Sequence, residues 1–63
     1  MYALEECARG NLAKHLTNID VLLDRPVGVA GHPNLLETIM DELDEVAYWQ
    51  DQLSIIAEHL KPE

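Results

Sequence analysis

Three histidines, one cysteine and a run of carboxylates are the residues of this chain whose types could do chemistry. Their spacing speaks against most of it. A catalytic or structural metal needs three or four donors converging on one point. The candidates His15, His32 and His59 fall at the middle of one helical segment, in a glycine-containing turn and near the C-terminal end of a second segment. If the two segments fold into an antiparallel pair, levels match so that residue numbers sum to about 58. His15 then lies beside Leu43, and the three imidazoles do not converge. Helical di-iron proteins combine a Glu with a His three residues on, and no Glu-x-x-His occurs. The pairs Asp41/Asp44 and Glu42/Glu45 share helix faces without a supporting histidine, so no metal site and no cofactor are expected.

Nucleophilic catalysis finds no better footing. Thr17, Thr38 and Ser54 are the hydroxyls besides the tyrosines, and none sits in a glycine-rich or elbow-like turn. Cys7 lacks a histidine at its own level and is expected to be an inert thiol. Gly28-x-x-Gly31 is followed by no Lys-Ser/Thr pair and preceded by no strand, so it is not a phosphate loop. Paired carboxylates working across a cleft would need a cleft, which two helices do not supply. The chain is read as a non-enzyme.

The elements that would hold these residues are helical. Sixty-three residues make one domain, 1–63, in a size range where a lone core supplies only about 3–5 kcal/mol. One cysteine excludes an intramolecular disulfide, which leaves self-association as the expected helper and a reducing, cytoplasmic setting as the expected location. No apolar run approaches about 18 residues and no basic segment precedes an apolar one, so neither a membrane span nor a signal peptide is expected.

The formal net charge of −8 is unevenly spread. Residues 1–30 hold four acids against Arg9, Lys14 and Arg25; residues 31–63 hold eight acids against Lys61. Such a surface repels phosphate, which speaks against nucleic-acid and anionic membrane partners. It either serves solubility or attracts a basic protein partner.

The first helix is predicted over about 2–24. Ala8, Leu12, Leu16, Ile19, Leu22 and Leu23 recur every three or four residues, and the stripe keeps its phase across Gly10, so the helix is expected to be continuous there. Pro26 ends it. Residues 26–32 read as a loop, in which Val27, Val29 and Ala30 are apolar enough to fold back over the bundle end. The second helix, about 33–60, starts either with Pro33 in its first turn or with an Asn34/Glu37 capping box. Lys61 and Pro62 close it.

The a and d positions of this second helix read Leu36, Ile39, Leu43, Val46, Gln50, Leu53, Ala57 and Leu60. Leu43 and Val46, in its middle, are expected to be buried. Together with Leu12, Leu16 and Ile19, the residues Leu36, Ile39, Leu43, Val46, Leu53 and Leu60 form the expected interface core. Gln50 at a and His15 at d are either satisfied locally at the core edge or fix register, as a buried polar residue does in coiled coils. Apolar residues also occupy e and g: Leu16, Leu23, Leu35, Met40, Ala47, Trp49 and Ile56. Two helices bury one seam, so the surplus calls for a second surface. An all-α antiparallel hairpin pairing with a second copy into a four-helix bundle is the simplest solution.

Tyr48 and Ile55 map to f, beside Trp49 and Ile56 at g, and widen the apolar arc in the C-terminal half of helix two. Either the dimer buries this arc, the reading preferred here, or Tyr48, Trp49 and Ile55 form a docking patch for another protein. The expected function is that of a small acidic accessory protein, suited to a phage or a bacterium, acting as a homodimeric bundle that engages a protein partner. The alternative is an acidic mimic that occupies the basic groove of a nucleic-acid-binding protein.

Overall fold

The computed structural model describes residues 2–24 and 33–60. Two helices account for them: α1, Tyr2–Leu23, and α2, Pro33–Ile55, the latter running on into a single π-helical turn, Ile56–Leu60. Both helices form where the 3.6-residue apolar period is sustained. Helix α1 passes through Gly10 without a break. Its last turn closes with the Asp24 N–H donating to the Asp20 carbonyl at 3.1 Å, one residue before the position that Pro26 bars from helical geometry. Pro33 opens α2, so Asn34 lies inside the first turn and is not the capping residue. The 26–32 loop with its apolar residues, and the Lys61–Pro62 stop, lie outside the described residues.

The helices pack side by side as an antiparallel hairpin, since the middle of α1 meets the middle of α2 and the start of α1 meets the end of α2. The product is long and thin, 52 × 14 × 11 Å, with a radius of gyration of 14.8 Å. A compact domain of this length has a radius near 11 Å. A single layer of helices cannot enclose a core: among the described residues the buried apolar ones are Ala8, Ile19 and Ile56, at 2%, 9% and 6% exposure, and no large side chain is completely buried.

The contact between the helices runs one row over from the a/d seam read on α2. Ile39, Val46 and Leu53, at d, stand half-buried in it. Their neighbours are the g residues: Leu35, Glu42 and Trp49, half-buried, and Ile56, buried. Leu36, at a, is exposed, and Leu43, expected to be buried, is 51% exposed in the single chain. Side-chain size accounts for the choice: Trp49 and Ile56 at g remove more apolar area from water than Gln50 and Ala57 at a. On α1 the seam is the a/d one, with Ala8, Leu12, His15, Ile19 and Leu22 turned inward and Leu16 and Leu23 exposed. The π turn takes more residues per revolution than an α-helix, so the heptad phase stops at Ile56 and Leu60 is left exposed.

Candidate interaction surfaces

At mid-seam a polar cluster interrupts the apolar contact. His15 Nδ1 lies 2.6 Å from Glu42 Oε1, and Asn18 Nδ2 donates to the same oxygen at 3.2 Å. An ionised carboxylate only accepts, so Nδ1 carries the proton in this bond. The other ring nitrogen, Nε2, stands 3.7 Å from Glu45 Oε1. The His15 and Glu42 side chains are 13% and 21% exposed, Glu45 half exposed. The hydrogen bond from His15 is the main cause that holds the Glu42 carboxyl below its ordinary value. Partial desolvation pulls the other way, while the Asn18 bond and the charges of His15 and Lys14 add to the lowering.

This cluster corrects one expectation. Glu42 and Glu45 do have a histidine beside them, supplied by the other helix, where His15 had been set against Leu43. The two carboxylates nevertheless sit on opposite nitrogens of one ring, whose lone pairs diverge, so they cannot share a single ion. Among the described residues no group of three or more His, Cys, Asp or Glu is placed to hold a metal. The sequence signal for Glu42 was its g position at the level of His15; the a/d reading of α2 hid it. Cys7 is exposed; the Asn11 side chain donates to its carbonyl at 2.8 Å.

The hairpin's two broad faces differ. On the first, α1 presents Leu16 and Leu23 while α2 presents Leu36, Met40 and Leu43, all exposed. Toward the chain ends the same face becomes polar, in a groove lined by Glu5, Arg9, Gln50, Leu53, Ser54 and Ala57. Gln50, the candidate register-setting residue, is therefore exposed in the single chain beside Arg9 and not sealed between α1 and α2. The α2 stripe from Leu36 to Ala57, read along a and e, carries no charge. A row of exposed carboxylates borders it at b, Glu37, Asp44 and Asp51, with Glu58 exposed beyond them in the π turn.

The wide arc at the end of α2 is split by the fold. Trp49 turns into the seam with Ile56, whereas Tyr48 and Ile55 stay outside, at 54% and 40% exposure. The Tyr48 ring meets Trp49 edge-on, with centroids 4.9 Å apart and planes at 89°. This T-shaped contact braces Tyr48 against the half-buried indole. Within one chain the hairpin contact leaves Tyr48 and Ile55 uncovered.

No described helix is long and apolar enough to cross a membrane. Comparison with protein-family models, with curated proteins and with solved structures finds no match.

Proposed function

We propose that this chain is a non-enzymatic interaction module: a helical hairpin that pairs with a second copy into a four-helix bundle and presents acidic outer rows to a basic protein partner. The observation that carries the reading is the exposed apolar stripe of Leu16, Leu23, Leu36, Met40 and Leu43 on one face of a single-layer hairpin. The accessible surface supports it. The chain exposes 4798 Å², whereas a compact monomer of 7.1 kDa exposes about 4,100 Å². The surplus, roughly 700 Å², is close to the ~800 Å² per partner of a standard stable interface.

Sedimentation and dilution test the reading. Folding linked to association makes Tm fall as the protein is diluted, and Leu43→Glu, which sets a charge in the stripe, should yield a monomeric mass. A monomeric wild type with a concentration-independent melt would sink the proposal.

One observation favours a second reading. Glu37, Asp44 and Asp51 recur every seven residues, which lines up three carboxylates about 10 Å apart along one helix edge, with Glu58 exposed beyond them in the π turn. A row of this kind could occupy a basic groove that otherwise holds nucleic acid. Steep salt dependence of partner binding would favour the mimic, and a shallow one an apolar docking contact.

A further inference from the structure

The stripe is not uniform along its length, and that asymmetry selects how a second copy sits on it. We infer that two hairpins pair with their interhelical turns at the same end, α2 of each copy lying over α1 of the other. This rests on the dimer proposed above and adds its geometry.

The first argument is apolar matching. Near the turn, Leu23 stands level with Leu36, and Leu16 with Leu43; all four are exposed. Toward the chain ends the same face carries Arg9 and Gln50 at one level, then Glu5 and Ser54. A twofold axis along the bundle keeps every level in place, so leucine meets leucine and the polar end meets the polar end. A twofold axis across the bundle reverses one copy, and the leucines of each hairpin would then cover Arg9, Gln50 and Ser54 of the other. Apolar area placed against a charged side chain strips water from that charge without compensation.

The second argument is charge. In the reversed arrangement α2 packs antiparallel to its own copy, and the Glu37, Asp44 and Asp51 rows of both chains run along the same side of that contact. Six carboxylates would share one groove, and like charges so placed cost free energy. With the turns together, the two rows lie on opposite sides of the bundle. Arg9 then comes level with Asp51 of the second copy, because Arg9 and Gln50 already share a level within the chain. A monomer's stripe covered by an unrelated protein would meet neither condition.

Spin-label distances decide between the arrangements. Cys7 is exposed and is replaced by Ser, and a single label is then placed at Ala3→Cys or Asp24→Cys, both exposed and at opposite ends of α1. These positions are about 31 Å apart along the helix axis. With the turns together, like-labelled dimers, Ala3 with Ala3 or Asp24 with Asp24, give shorter distances than dimers mixed from one chain of each kind. The opposite order, mixed pairs shorter than the Ala3 pair, overturns the arrangement while leaving the dimer intact. A monomeric sedimentation mass with no intermolecular coupling removes the dimer itself, and the arrangement with it.

Discussion

His15 and Glu42 are joined across the hairpin by a 2.6 Å hydrogen bond, and both interhelical side-chain hydrogen bonds among the described residues end on that one carboxylate. The bond sits in the middle of a seam that is otherwise apolar. It therefore locks the axial register of the two helices: a slip of one turn would leave His15, Asn18 and Glu42 half-buried without partners, whereas leucines and isoleucines tolerate such a slip far better.

The first prediction follows from the direction of the Glu42 shift. The folded state holds this carboxyl below its ordinary value of 4.5, so the bond contributes stability that is fully present above that value and is lost as pH falls through the lower folded one. Protonation of the other acids relieves repulsion over the same range, so the comparison is with Glu42→Gln, which keeps an acceptor oxygen but does not titrate. Below about pH 4.5 the wild type should lose Tm relative to Glu42→Gln. Parallel Tm–pH curves would show that Glu42 is not coupled to folding.

Gly10 offers a gain. It lies inside α1, and a Cβ built there meets nothing within 4 Å. Gly10→Ala should raise stability by roughly 1 kcal/mol, because alanine loses less backbone entropy in a helix. Urea unfolding measures this, and a loss of stability would mean that the helix bends at Gly10 in solution.

Ile19 and Ile56 test the core. Both are buried between the helices, so Ile19→Ala or Ile56→Ala should cost about 2–5 kcal/mol through lost burial and the remaining cavity. Val21→Ala, at an exposed position of the same α1, serves as control and should change stability by less than about 0.5 kcal/mol. Equal effects at Ile19 and Val21 would contradict the orientation of α1.

Tyr48 and Ile55 lie outside the hairpin contact and about a third of a turn from the Leu36–Leu43 stripe on α2. Tyr48→Glu/Ile55→Glu should therefore leave Tm and the association state nearly unchanged, although the wide arc had been expected to be covered. A large drop in Tm would place this pair in a dry contact after all.

The two helices, their bounds near Pro26 and Pro33, the passage through Gly10 and the antiparallel pairing were all legible in the sequence, because each follows from local backbone chemistry or from the period of the apolar residues. Which apolar row of α2 faces α1 was not. Leu36, Ile39, Leu43 and Val46 at a and d alternate by three and four residues, and so do Leu35, Ile39, Glu42 and Val46 at g and d. Periodicity cannot separate two adjacent rows that share the same d residues. The tertiary structure decided it through volume and pairing: Trp49 and Ile56 fill the seam better than Gln50 and Ala57, and Glu42 finds His15 and Asn18 only when the g row turns inward. That choice left Leu36 and Leu43 on the surface, as the stripe that the single chain leaves uncovered.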